Sequence, residues 1–200
     1  MFNIQDLTSV NRLWRKVYPY TAAQVMAHYK RHAGIVLELG SFSGGITFEL
    51  AKNYPELAFT VADENPAYLH HLRNELFNRG LSARVRLMDI GLDRLEFEPA
   101  TFDLVILRGA FFFIMERPQI LTEIYRVLKS GGLGFVGGGY GKDVPQKVID
   151  EIANESRVLN DRLGRRRVTI DELNGLLADT GLSEKARIIE EGGVWILIQK

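Results

Sequence analysis

The chain has 200 residues, enough for one domain with a sizeable core, and 46% hydrophobic with 25% charged residues is globular composition. Basic and acidic residues balance at 25 each, so the basic excess usual in proteins that live on nucleic acid is missing. There is no cysteine, which excludes disulfides, thiolate metal ligands and a cysteine nucleophile. No stretch nears the ~20 apolar residues that span a bilayer, and the opening residues lack an apolar core of signal-peptide length. A cytoplasmic protein without a membrane partner is the expectation.

In chain order, the opening ~32 residues read as two amphipathic helices, the pattern of a cap packed before the first strand (residues 1–33). Short β-rich runs then alternate with helical patterns. Strands are expected at Ile35–Leu39, Ala58–Ala62, Ala83–Leu87, Phe102–Leu107 and Leu133–Gly137. Most are apolar almost throughout, as strands buried on both faces should be. Asn65-Pro66 opens a helix with a cap residue and a first-turn proline, Gly80 stops it, and Leu69, Leu72 and Leu76 form its buried stripe. Pro118 starts the next, which Ser130-Gly131-Gly132 should end. A helix from Asp143 to about Leu163 and a shorter one from Asp171 to Thr180 follow. Lys185–Ile189 and Val194–Gln199, on either side of Glu190-Glu191-Gly192-Gly193, read as an antiparallel hairpin. The pattern implies an α/β fold in three layers, α/β/α. Its sheet is seven-stranded and mostly parallel, with a C-terminal antiparallel hairpin, in a single domain spanning 1–200.

The segment after the first strand, Glu38-Leu39-Gly40-Ser41-Phe42-Ser43-Gly44, is a tight glycine turn leading into a helix. Ligands of parallel sheets sit at the carboxyl ends of the strands, where glycines admit positive φ and close approach of a ligand to the backbone. The turn lacks the Gly-Lys-Ser/Thr of a phosphate loop and does not spell the dinucleotide fingerprint. Glu38 would repel a diphosphate but suits a ligand carrying an ammonium group.

This segment resembles motif I of the class I, Rossmann-like S-adenosylmethionine-dependent methyltransferases, with Phe42 where the middle glycine usually stands. An aromatic there resembles the variant of catechol- and caffeoyl-CoA-type O-methyltransferases. Later segments resemble the same family in order. They are Phe59-Thr-Val-Ala-Asp63 at the second strand, Arg86-Leu-Met-Asp89-Ile90 at the third, Phe102-Asp-Leu-Val-Ile-Leu107-Arg108 at the fourth, and Ile124-Tyr-Arg-Val-Leu-Lys-Ser-Gly-Gly132 before the fifth.

The resemblance implies a methyltransferase that uses S-adenosyl-L-methionine and releases S-adenosyl-L-homocysteine. Asp63 lies roughly 20 residues past the loop, the spacing of a ribose-binding carboxylate, with Glu64 as the alternative. By resemblance, Asp89 accepts from the adenine amine and the Ile90 N–H meets a ring nitrogen. Glu38, Gly40, Ser41, Phe42, Gly44, Leu107 and Arg108 surround the methionine end.

Methyl transfer is an in-line displacement that positioning and desolvation can drive, so the family has no universal catalytic residue and the sequence names none. The amino-methylation motif of nucleic-acid enzymes is replaced by Arg108-Gly-Ala-Phe. A small-molecule acceptor, methylated on O, N or C, is therefore the leading reading. A non-catalytic cofactor-binding regulator and an RNA methyltransferase are the alternatives. Only Asp103 lies in the fourth strand, and His28 and His32 lack a third ligand, so no metal is expected.

Arg108 suits an anionic acceptor, the cofactor carboxylate or a neighbouring aspartate. Phe111-Phe112-Phe113 suits an acceptor pocket or core packing, and Trp14, Tyr18 and Tyr20 suit a lid. Arg162 and Arg165-Arg166-Arg167 suit a solvated loop or the docking of an anionic acceptor. Whether the protein is a monomer or a homodimer is not written in the sequence.

Overall fold

The computed structural model describes residues 3–40 and 42–200. Two helices, α1 (Ile4–Leu13) and α2 (Tyr18–Tyr29), flank a short 3-10 turn, Trp14–Lys16, and precede strand β1 (Gly34–Leu39). Then follow α3 (Gly45–Asn53), β2 (Leu57–Asp63), α4 (Pro66–Asn78), β3 (Val85–Asp89) and β4 (Phe102–Arg108). The remaining elements are α5 (Gln119–Val127), β5 (Leu128–Gly138), α6 (Gln146–Arg162), α7 (Ile170–Asp179), β6 (Ala186–Ile189) and β7 (Val194–Gln199).

The strands make one seven-stranded sheet in the order β3-β2-β1-β4-β5-β7-β6. The first five pair in parallel, and β7 runs antiparallel to both β5 and β6. Side chains alternate between two cores. One face carries Val36, Leu104, Ile106, Phe135 and Trp195 beneath α1, α2, α3, α4 and α6. The other carries Leu37, Leu39, Val105, Leu107 and Val136 beneath α5 and α7. No helix among the described residues is long and apolar enough to cross a membrane.

Three boundaries differ from expectation, each for a local reason. The third strand starts at Val85 because Leu81–Arg84 close a turn in which Arg84 N–H donates to Leu81 O at 2.9 Å. The helix expected from Asp143 starts at Gln146, after Asp143 in a left-handed conformation (φ 63°) and Pro145 at the cap. Ser130-Gly131-Gly132 does not separate helix from strand. β5 already begins at Leu128, opposite Phe102, and these residues form an irregularity before pairing resumes at Leu133 opposite Leu104.

The chain order reverses between β1 and β4, the central strand of the sheet. The crevice at their carboxyl ends is the place such sheets offer a ligand.

Candidate functional site

The turn after β1 is built by contacts that span the motif. Gly40 takes φ +85° and donates its N–H to Ala62 O at 2.9 Å, tying the turn to β2. Glu38, fully buried at the end of β1, accepts the Thr47 N–H on Oε2 at 2.9 Å. That N–H belongs to the first turn of α3, so the carboxylate caps a helix whose own N-cap residue is Gly44, at φ +93°. Its other oxygen, Oε1, has no hydrogen-bond partner, and neither has the nearby buried Ser43 Oγ.

Burial holds the Glu38 carboxyl above its ordinary value of 4.5, against the pull of Thr47, Gly44 and the Arg108 charge. A carboxyl so raised keeps a proton that the unfolded chain has lost, so the native state loses stability as pH rises through and above about 4.5. Glu38→Gln removes this slope. In urea unfolding followed from about pH 4.5 to 8, the stability difference should shift in favour of the variant as pH rises. Parallel profiles for the two proteins would show that Glu38 ionises normally.

At the end of β2, Asp63 is fully buried and its Oδ1 accepts the Asn65 N–H at 2.6 Å. Asn65 in turn caps α4 by accepting from Ala67 N and Tyr68 N, and the Tyr68 hydroxyl donates to Ser43 O at 2.7 Å. These bonds set the ends of β1 and β2 side by side. Asp89, paired with Asp63 across β2 and β3, is exposed at the next strand end.

The other expected positions carry other contacts. Glu64 is held bidentately by Arg117 at 2.8 and 3.0 Å, and Arg117 also binds Asp93. The Ile90 N–H donates to Asp63 O at 3.2 Å, a competing partner for the ring nitrogen anticipated there. Leu107 is fully buried, and its Cδ1 and Phe113 Cζ lie 3.4 Å from where a Cβ on Gly40 would stand. A Cβ on Gly44 would come within 2.7 Å of Leu72, so that glycine serves helix packing. Phe42 is a core residue, 1% exposed, stacked on Phe112 at 4.5 Å and lying over Gly109. Ser41 lies outside the described residues.

Arg108 is 4% exposed at the end of β4. Its Nε donates to Phe42 O at 3.2 Å, and its Nη2 to Asn11 Oδ1 at 3.1 Å and Tyr18 OH at 2.8 Å. The guanidinium lies over the rings of Trp14 (5.0 Å) and Tyr18 (4.9 Å). Burial pushes the Tyr18 phenol up to about 12, with Arg108 pulling against it, so Tyr18 stays protonated and donates to Asn11.

Beside Arg108 opens a cavity of about 370 Å³, lined by Trp14, Phe111, Phe112 and Tyr140 and edged by Arg165, Arg166 and Arg167. Trp14 is fixed by donating Nε1 to Ser156 Oγ at 2.9 Å and stacks on Tyr140 at 4.9 Å, nearly coplanar. Tyr140 is placed by a tight loop in which Gly141 N–H donates to Gly192 O, while Gln24 bonds both Glu191 O and Lys142 N. Sequence reasoning missed Tyr140 and Asn160 in this wall, and Asn11 as a partner of Arg108. Only the Gly138–Gly141 run around Tyr140 signalled close packing. A more polar cleft of about 530 Å³ lies between α1, α3 and α4, near Arg15, His71 and Glu75 and away from Asp63 and Asp89.

Asp103 lies at the opposite, amino end of β4, bonded to Ile35 N and Lys129 Nζ. His28 and His32 pack against different rings, Phe135 and Tyr54.

Such a sheet, with an acidic residue at or next to the carboxyl end of each of β1, β2 and β3, has the Rossmann-like fold of methyltransferases. The comparisons with known proteins agree. Residues 36–132 match the methyltransferase-domain family. A ubiquinone/menaquinone biosynthesis C-methyltransferase from Idiomarina loihiensis is 28% identical over 132 residues, 64% of this chain and 50% of that protein. The chain thus spans about half the length of the curated relatives it matches. A provisionally assigned S-adenosyl-L-methionine-dependent methyltransferase of Methanococcus maripaludis superimposes with a TM-score of 0.86 at 24% identity, covering 100% of this chain and 94% of that one. A second, from Aquifex aeolicus, gives 0.68 at 16% identity over 99% and 100%. Residues 36–132 are thus similar to the methyltransferase-domain family, and the fold is that of the S-adenosyl-L-methionine-dependent methyltransferases on which the chain superimposes.

The donor set fits that cofactor. The buried Glu38 oxygen without a partner is the acceptor that an α-ammonium group would satisfy. The buried Asp63 carboxylate stands one strand away, where a ribose diol would need an acceptor.

Proposed function

We propose that the chain transfers a methyl group from S-adenosyl-L-methionine to a small-molecule acceptor, as one domain with residues 1–33 as a helical cap. The observation that carries this reading is Glu38: a buried carboxylate that caps α3 with one oxygen and leaves the other without a partner beside the glycine turn. Glu38 and the turn at Gly40 would hold the methionine end, with Arg108 and Leu107 behind it. Asp63 would hold the ribose with Glu64 beside it, and Asp89 and Ile90 the adenine. When bound, the cofactor supplies an electrophilic methyl on a sulfonium.

The work left to the protein is positioning and the exclusion of water, in the cavity between Trp14, Tyr140 and Arg108. None of the described lining residues is a carboxylate or an imidazole, so this wall orients an acceptor rather than removing its proton. That suits a carbon or an already ionised atom as nucleophile, and the names of the matched relatives, C-methyltransferases, favour carbon. We place the reaction in the cytoplasm.

Calorimetry with S-adenosylhomocysteine tests the cofactor half, and transfer of labelled methyl to a panel of small metabolites and to RNA tests the other. Saturable binding with label in the small-molecule fraction is the expected result. Absence of any binding would overturn the reading, and label confined to RNA would redirect it to the nucleic-acid enzymes.

A further inference from the structure

The cavity beside Arg108 is lined by four arginines and, among the described residues, no acid, in a chain whose basic and acidic residues balance. Its inner wall holds a buried guanidinium whose hydrogen bonds all go to neutral oxygens, those of Phe42, Asn11 and Tyr18. Arg108 Nη1 takes part in none of them, and no carboxylate among the described residues pairs with Arg108. Arg108 acts on the Glu38 carboxyl through its charge but bonds no carboxylate, and an anion brought within bonding distance would offset the cost of burying the cation.

The rim adds charge of the same sign. Arg166 is paired with Glu172 at 2.7 Å, but Arg165 and Arg167 are exposed and in no ion pair among the described residues. The walls between are aromatic: Trp14, stacked on Tyr140, together with Phe111 and Phe112. With about 370 Å³ of space, the cavity suits a single small molecule, in the lower part of the ~300–1,000 Å³ range of ligand pockets.

Resting on the methyltransferase reading above, we propose that the acceptor is a planar aromatic or conjugated molecule bearing an anionic group, a carboxylate or a phosphate. Its apolar body lies against Trp14, Tyr140, Phe111 and Phe112. Its anion faces the Arg165 and Arg167 rim. The cationic run between α6 and α7 thereby becomes the selectivity element of the site, and not a solvated loop.

The test uses three probes on the full chain, with and without S-adenosylhomocysteine: 2-naphthyl phosphate, 2-naphthol and inorganic phosphate, followed by calorimetry and by Trp14 fluorescence. Naphthyl phosphate should bind at least about tenfold more tightly than either of the others. In the doubly substituted R165Q/R167Q protein the margin over 2-naphthol should fall to about threefold or less, with the affinity for S-adenosylhomocysteine and the Tm unchanged. Equal affinity for naphthol and its phosphate would overturn the proposal. So would inorganic phosphate binding as well as the naphthyl ester, or a preference untouched by the double substitution. If the parent protein fails to bind S-adenosylhomocysteine, the methyltransferase reading falls on that ground alone. The three-probe comparison would still decide the character of the cavity.

Discussion

Asp63→Ala is expected to raise the dissociation constant for S-adenosylhomocysteine by about 5- to 150-fold, the equivalent of ~1–3 kcal/mol for lost hydrogen bonds to a buried carboxylate. The side chain is fully buried at the carboxyl end of β2, and its Oδ1 is fixed by the Asn65 N–H at 2.6 Å. Alanine therefore removes two things at once, the proposed ribose acceptor and a bond that shapes the turn into α4. Asp63→Asn separates them, because an amide oxygen still accepts from Asn65 while the charge is lost. Calorimetry and thermal denaturation on both variants give the answer. Weakened binding in both, with a lowered Tm mainly in the alanine variant, identifies the carboxylate as a ligand. Unchanged binding in both would leave Asp63 a turn residue only, and the ribose assignment would be withdrawn.

Gly45→Ala should destabilise the protein by about 1–3 kcal/mol, lowering the Tm by ~2–4 °C for each kcal/mol. Helix propensity alone points the other way, since alanine is favoured over glycine by ~1 kcal/mol inside a helix. What decides the sign is Tyr18: a Cβ on Gly45 would fall within the face of its ring. The ring is 3% exposed, and its hydroxyl bridges Asn11 and Arg108. The methyl group must therefore push aside the aromatic that steadies the cation at the end of β4. Thermal denaturation in two backgrounds checks this. The loss should largely vanish when Tyr18 is already alanine, because the clash is then gone. A loss of the same size in both backgrounds would place the strain elsewhere.

The strand and helix pattern was legible because its signals are local. Apolar runs such as Val36-Leu37 and Val105-Ile106 mark strands covered on both faces, and Asn65-Pro66 punctuates a helix where the structure caps it. Ser130-Gly131-Gly132 misled for the same reason. Glycines that end a helix and glycines in a strand irregularity look alike until the partner strand is known. Glu38, Asp63 and Asp89 were readable as acidic residues at or near the ends of neighbouring strands.

What the sequence could not disclose were contacts between distant segments. Arg108 meets Asn11 and Tyr18 from the leading helices, and the run from Arg165 to Arg167 reaches the same cavity from beyond α6. Phe42 was placed in the loop by motif position, yet its ring belongs to the core, because Gly109 offers a surface without a Cβ for it to cover. No periodicity or spacing in one segment encodes such a meeting.

The position of β7 bears on how the molecule is made. It follows β1 to β6 in the chain, yet it lies inside the sheet, between β5 and β6, with Trp195 to Ile198 all buried. While translation proceeds at about 5–20 residues per second, the edge of β5 waits several seconds for its neighbour, its backbone donors open to any passing strand. A nascent chain stalled before Val194 would display that edge indefinitely.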